Sequence, residues 1–252
     1  MRDFALFEPF AQSTADRLKA VKQDFQVALL YGSDGGHFRR LLIQRHPKIT
    51  IDCIENRIAF IEAEKQAYQS TQPFWQRFKP LAVMDALNRQ PEKTYDLLYA
   101  PFRLPADDYA NIFQTWRSVL QTNGMLFFHT LGIGSCPELE TDNLSCLPDM
   151  HDLGDALLRS GFADSVMDRM PYHLSYQTPE IFWQDMNDLG IDTLLLANRS
   201  SIDERILSGS LKKITIEVIF GHAIAPEIKD LASNEHIITF HPQGSLKQKT
   251  AF

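Results

Sequence analysis

Between residues 27 and 129, short apolar runs alternate with stretches patterned for helix, and nothing else in the sequence constrains the fold as tightly. Val27-Ala28-Leu29-Leu30-Tyr31 is a buried-strand run that stops abruptly at Gly32-Ser33-Asp34-Gly35-Gly36. Phe38, Leu41, Leu42 and Arg45 then follow helical spacing. Ile49 to Ile54 forms a second strand, ending at Glu55, and Ile58, Ile61 and Ala63 mark the inner side of a second helix. Leu81-Ala82-Val83-Met84 and Tyr95 to Ala100 give the third and fourth strands. Tyr109, Ile112, Phe113, Trp116, Val119 and Leu120 form the clearest helical stripe, Asn123-Gly124 stops it, and Met125 to His129 is the fifth strand. Fivefold strand–helix alternation predicts an α/β fold, a mostly parallel sheet with helices on both faces. In such sheets ligands sit at the carboxyl ends of the strands, which is where the glycine loop and Glu55 fall.

The rest of the chain is patterned differently. An amphipathic helix over 9–22, with Phe10, Ala15, Leu18 and Val21 as apolar members, precedes the first strand. After Asp149 and Asp152 comes a helix carrying Leu153, Ala156, Leu157 and Leu158, with His151 at its start and Gly161 just past its end. Val166 to Tyr176 reads as a strand. Thr178-Pro179-Glu180 opens a helix that Gly190 stops. Ile214 to Phe220 alternates as a strand, and Ile237 to Phe240 is a short candidate edge strand.

Length fits one domain: 252 residues bury a large core without a second unit. A formal charge of −7 and the lack of a Lys/Arg stripe exclude the usual nucleic-acid binder, which must neutralise phosphates. The amino terminus lacks the pattern of a signal peptide, and no run approaches the length of a membrane span. Cys53, Cys136 and Cys146 make no CxxC pair and suit reduced thiols, so a cytoplasmic protein is expected. His129, His151 and His222 lie on different elements without ligand spacing, and no metal site is expected.

The glycine loop joins a strand to a helix, where glycines let backbone approach a ligand and the helix N-terminus favours its negative group. Glu55, about 20 residues past the loop, stands where an acidic residue accepts hydrogen bonds from ribose hydroxyls. A nucleoside site follows. Spacing alone leaves open whether its ligand is NAD or S-adenosylmethionine (SAM).

The segment Leu147 to Asp164, together with Leu174-Ser175-Tyr176, Asp185 to Gly190 and Glu217 to Ala223, resembles the malonyl-acyl-carrier-protein O-methyltransferase family of biotin synthesis. The likeness runs from about residue 10 to about 245. It implies a class I, Rossmann-like methyltransferase fold of seven mostly parallel strands with an antiparallel final strand. One domain over 1–252 would comprise an N-terminal helical segment (1–23), a cofactor half (24–130) and a substrate-side half (131–252). SAM is the implied cofactor, and the implied reaction is methylation of the free carboxylate of a malonyl thioester on acyl-carrier protein or coenzyme A. The implied cofactor contacts are Gly32, Asp34, Gly36, Glu55, Asp85 and Ala100. Arg199 and Tyr176 are the implied substrate contacts, Arg199 because an arginine fork suits a carboxylate.

The sequence also departs from the family pattern. Leu30 stands where the family has an acidic residue, and Asp34 replaces its middle glycine. A carboxylate there is expected to crowd the ligand's methionine end and repel its carboxylate, so Asp34→Gly should tighten SAM binding. The acidic residue after strand three falls on Met84 or Asp85. Ala100 to Pro105 keeps little of the family's sequence, and the connector from Glu138 to Leu147 is short, so less of a lid is expected. Arg39, Arg40 and Arg57 are the candidate basic patch for an acidic carrier protein. The rival readings are a cofactor-blind member of the same fold acting as a partner or scaffold, and a nucleotide-dependent oxidoreductase, for which no catalytic Tyr-Lys or His-Asp set is present.

Overall fold

The structure, a computed structural model, describes residues 4–71, 83–84, 94–105 and 108–227. Among the described residues seven strands form one sheet: β1 (Val27–Tyr31), β2 (Thr50–Ile54), β3 (Val83–Met84), β4 (Tyr95–Pro101), β5 (Leu120–Leu131), β6 (Ala163–Leu174) and β7 (Ile214–Ile224). Their spatial order is β3-β2-β1-β4-β5-β7-β6. The first five run parallel, while β7 enters antiparallel between β5 and β6. Sequence order therefore reverses between β1 and β4, and this switch opens a crevice at the strands' carboxyl ends.

The helices are α1 (Glu8–Leu18), α2 (His37–Arg45), α3 (Ile58–Thr71), α4 (Tyr109–Val119), α5 (Met150–Arg159), α6 (Pro179–Leu189), α7 (Asp192–Leu195) and α8 (Arg199–Leu207). One core lies under α1 and α2, where Leu18, Phe38 and Leu42 meet Leu30, Leu97 and Tyr99 of the sheet. A second lies on the opposite face, where Phe113 and Trp116 of α4 and Leu153 and Leu157 of α5 cover Leu29, Leu98 and Phe128. The third caps the carboxyl end and joins Phe4, Phe7, Phe10, Phe60 and Phe102 to α6, α7 and α8. The strand runs and the α4 stripe thus bury where their periods require.

Several boundaries differ from expectation. The leading helix ends at Leu18, with Val21 beyond it, and a 3-10 turn over Ala5–Phe7 precedes it. β5 begins at Leu120 rather than Met125, because α4 passes directly into the sheet and Asn123 takes a positive φ inside the strand. β6 begins at Ala163 and ends at Leu174. The connector after Glu138 holds two 3-10 turns, Pro137–Leu139 and Asp142–Leu144, and the sequence reading had not assigned α7 and α8. Cap chemistry was legible. The Asp149 carboxylate accepts from the His151 N–H at 2.7 Å, Gly161 follows α5 with φ +82°, and Thr178 and Gly190 bound α6. Leu81 and Ala82, Asp85 and the strand expected at 237–240 lie outside the described residues. No helix among the described residues is long and apolar enough to cross a membrane.

Candidate functional site

The glycine loop leaves β1 and turns sharply into α2. Gly32 (φ +98°) donates its N–H to the Ile54 carbonyl at 2.8 Å, extending the β1–β2 ladder one residue past the strand, and Gly36 (φ +81°) is the N-cap of α2. Both positions need the left-handed region that glycine occupies without strain. A Cβ at either would also collide, with the Arg103 side chain at 32 and with Ala67 of α3 at 36.

The loop is tied down by buried charge. Ser33 donates its N–H to Glu55 at 2.9 Å and its hydroxyl to Glu64 at 2.8 Å. Glu64 pairs with Arg39, both side chains almost wholly buried. Glu64 lies with Phe60 and Ala67 on the buried face of α3, which is not the face of Ile58, Ile61 and Ala63 expected from sequence: Ile58 is 75% exposed. Arg39 therefore leaves the proposed basic docking patch: it is an internal counter-ion, 1% exposed.

Asp34 also corrects an expectation. Its carboxylate turns under α2, away from the open side of the loop, and accepts from the Phe38 N–H at 3.0 Å and the Tyr99 hydroxyl at 3.2 Å. The chain reverses within the loop, so the side chain points into the α2 face of the core instead of toward a ligand. Burial, with Glu64 nearby as a second push, raises its pKa to about 6, against opposing effects of His37 and the two hydrogen bonds. The expected clash at the methionine end does not arise from this side chain.

Glu55 follows β2 directly, with its side chain fully buried. One oxygen accepts from Ser33 N–H (2.9 Å) and Arg57 Nη2 (2.6 Å), and the other from Asn56 N–H (2.9 Å), Arg57 N–H (3.0 Å) and Arg57 Nε (3.0 Å). Burial would raise this carboxyl, but its bonds to Arg57 and the charges of Arg57 and Arg103 hold it below its usual range. Arg103, just past β4, lays its stem over Gly32 and reaches Asn56 Oδ1 at 3.3 Å. Ala100 is fully buried within β4 against the α4 face, so its side chain does not line the crevice.

Beside the loop, aromatic rings crowd the carboxyl ends of β4 and β5 and the stretch of antiparallel β7 that faces them. Phe10 lies against Phe102, His129, Tyr172 and Phe220 at centroid distances of 4.9–6.4 Å. His129 Nε2 is 2.6 Å from Thr14 Oγ1, and burial pushes its pKa down to about 3, so the imidazole is neutral at working pH. Sequence had marked Phe10 only as an apolar helix member and His129 only as a strand residue without metal-ligand spacing, because neither signal records the partner across the fold.

Tyr176 and Arg199 are not brought together. Tyr176 packs against the carboxyl-end core, donates to Asp185 at 3.1 Å, and lines a cavity of about 340 Å³ with Phe4, Phe7, Leu174 and Asp188. Arg199 does not line that cavity. It is 56% exposed, stacked 4.9 Å over Trp183, with Asp203 at 3.9 Å. Among the described residues no cluster of His, Cys, Asp and Glu has the geometry of a metal site.

The malonyl-[acyl-carrier protein] O-methyltransferase of Gallionella capsiferriformans is 25% identical over 238 residues, 84% of this chain and 81% of that protein. Those of Methylovorus sp. and Laribacter hongkongensis are each 26% identical, over 91% and 90% of this chain and 86% of their own lengths. Over most of its length the chain is thus similar to the malonyl-[acyl-carrier protein] O-methyltransferases, at modest identity. No family model matches it. Among solved structures, N-methyltransferase NodS from Bradyrhizobium japonicum superposes with a TM-score of 0.52 at 13% identity, covering 90% of this chain and 100% of that one. The Haemonchus contortus phosphoethanolamine N-methyltransferase 2, solved in complex with S-adenosyl-L-methionine, gives 0.52 at 12% identity over 86% of this chain and 52% of that longer one. The fold is that of the class I methyltransferases, as the resemblance implied.

Proposed function

We propose that the chain is a SAM-dependent O-methyltransferase whose acceptor is the free carboxylate of a malonyl thioester, carried by acyl-carrier protein or coenzyme A, in the early steps of biotin synthesis. The observation that carries the reading is the juxtaposition of loop and carboxylate. Gly32 and Gly36 present backbone at the end of β1, and Glu55 directly follows the neighbouring β2, hydrogen-bonded to the loop through Ser33. Its relatives support the acceptor, since they are named for malonyl-acyl-carrier protein.

These residues fit a nucleoside provided that two side chains move. Arg103 covers Gly32 with a flexible stem rather than with backbone, and Arg57 occupies Glu55 from a partly exposed position. Bound SAM supplies an electrophilic methyl group. Attack by a carboxylate needs no proton to be removed, so this chain's part is positioning and exclusion of water. Gly32 and Gly36 let the ligand close on the backbone, while Glu55 accepts from ribose hydroxyls. Phe7, Phe10, Phe102 and Phe220 keep the adjacent space dry, and neutral His129 holds α1 over it through Thr14. The acceptor's carboxylate still needs a cation, and Arg199, the residue implied for it, stands exposed on α8.

The test is a titration with SAM and with its demethylated product S-adenosylhomocysteine (SAH), followed by methylation of malonyl-carrier protein read as a mass gain of one methyl group. A rise in melting temperature with either ligand is expected. No shift at millimolar ligand would overturn the reading. That outcome would favour a cofactor-blind scaffold, the reading for which Arg103 over Gly32 and Arg57 on Glu55 speak.

A further inference from the structure

Arg57 spends its donors in three directions. Its Nε and Nη2 grip Glu55 at 3.0 and 2.6 Å, its Nη2 also reaches the Ser33 carbonyl of the glycine loop at 3.3 Å, and its Nη1 reaches the Asp188 carbonyl of α6 at 3.1 Å. The guanidinium face lies 3.5 Å from the centre of the Phe60 ring. One side chain thus ties the end of β2, the loop after β1 and the last turn of α6. Asp188 in turn lines the 340 Å³ cavity beside Tyr176.

A carboxylate offers about four lone-pair directions, and Glu55 already accepts five hydrogen bonds. Three come from backbone N–H groups of Ser33, Asn56 and Arg57, fixed by the fold. The other two come from the Arg57 side chain, which is 22% exposed while Glu55 is fully buried. A pair of ribose hydroxyls can therefore reach Glu55 only by replacing the guanidinium.

We propose that Arg57 is a latch: an adenosine ligand that takes Glu55 expels the guanidinium, and its departure frees the Ser33 carbonyl of the glycine loop and the end of α6 together. The inference rests on the reading of Glu55 as the ribose acceptor. It makes ligand entry and loosening of the α6 side one event, so the cofactor end and the cavity beside Tyr176 open together. The release is exchange of hydrogen bonds alone: two N–H donors leave the carboxylate and two O–H donors arrive.

The experiment compares the wild-type chain with Arg57→Met, which keeps the stem against Phe60, and with Arg57→Lys, which keeps the charge but cannot span all three partners. SAH is titrated calorimetrically, and amide hydrogen exchange is followed over residues 32–36 and 179–189. SAH is expected to bind the methionine variant about tenfold more tightly, the scale of one charge-assisted hydrogen bond that no longer competes. Without ligand, the last turn of α6 should exchange faster in that variant, at the rate the wild type shows when saturated with SAH. The lysine variant should fall between the two, and it carries the test if the methionine variant does not fold. Equal affinity for SAH in all three proteins overturns the latch and leaves Glu55 as ribose acceptor standing. Binding to none of them defeats that reading, and the latch falls with it.

Discussion

The glycine loop and the aromatic end of the crevice lie side by side, yet opposite physics holds them. The loop is fixed by charge: Arg39, Glu64, Ser33 and Asp34 are almost completely buried and bond mainly to one another and to backbone. The neighbouring end is fixed by rings, with Phe7, Phe10, Phe102 and Phe220 around a neutral histidine. Buried charges hold one geometry and fail badly when a partner is lost. Rings pack in more than one way and fail in proportion to the volume removed. Under the proposed function, the part that would present backbone to a ligand is thus the rigid one, and the part that would admit a substrate is the adaptable one.

Glu64→Ala should break the charged side hardest. It strands Arg39, whose Nη2 already has no hydrogen-bond partner among the described residues, and removes the acceptor of the Ser33 hydroxyl. A loss of about 3–5 kcal/mol is expected from denaturant unfolding, the cost of orphaning one member of a buried pair. A loss under about 1 kcal/mol would mean that the pair does not hold the loop. Phe10→Ala is the matching cut on the aromatic side. It deletes a fully buried ring that meets five others, for about 3 kcal/mol. The contrast lies in repair: Phe10→Leu should recover most of that loss, whereas Glu64→Gln should recover little, since an amide leaves the Arg39 charge unpaired.

Asp34 sharpens the comparison through pH. Its folded pKa of about 6 lies above the ordinary 3.8, so the protonated form is the one the fold favours. The stability it contributes is complete below about pH 4 and is lost as the pH rises through about 6. Asp34→Asn keeps an acceptor for the Phe38 N–H and a polar partner for Tyr99 but cannot ionise. It should flatten the stability profile between pH 4 and 6 and gain on the order of 2 kcal/mol over the wild type at pH 7. Glu64, His37 and Tyr99 are the ionisable groups that face it, and an unchanged pH slope in the variant would mean that Asp34 does not carry the titration. Asp34→Gly, expected from sequence to improve ligand binding, now should loosen the start of α2 and leave SAM affinity no better.

How much of this was legible in the sequence follows from the range of each signal. The strand runs, the α4 stripe and the caps of α5 and α6 are local patterns, and they appear where periodicity put them, shifted by a few residues. Glu55 and the glycine loop were legible because a strand end and a turn fix their place. The direction of Asp34 was not, because φ values at Gly32, Gly35 and Gly36 decide it and no residue name records them. Arg103 over Gly32 and Phe4 over Gly35 depend on chain separations of 71 and 31 residues, set by the sheet order. Arg39 was misjudged for the same reason: its partner, Glu64, lies on another helix.

The smallest effect belongs to Arg199, the residue the resemblance chose for the substrate carboxylate. It is mostly exposed, and its Asp203 contact at 3.9 Å is a surface pair on one helix. Such pairs contribute a few tenths of a kcal/mol, so Arg199→Ala should leave stability within about 0.5 kcal/mol of wild type. Its guanidinium does lie 4.9 Å over Trp183, whose indole N–H donates to the same Asp203 at 2.6 Å. The substitution should therefore shift tryptophan fluorescence while leaving the melting curve in place. Malonyl-thioester affinity is the decisive reading. A tenfold loss on Arg199→Ala would mean that α8 swings this arginine into the crevice when substrate arrives, making the substrate side mobile as well as adaptable. An unchanged affinity would pass the cation's role to another residue and leave α8 as packing.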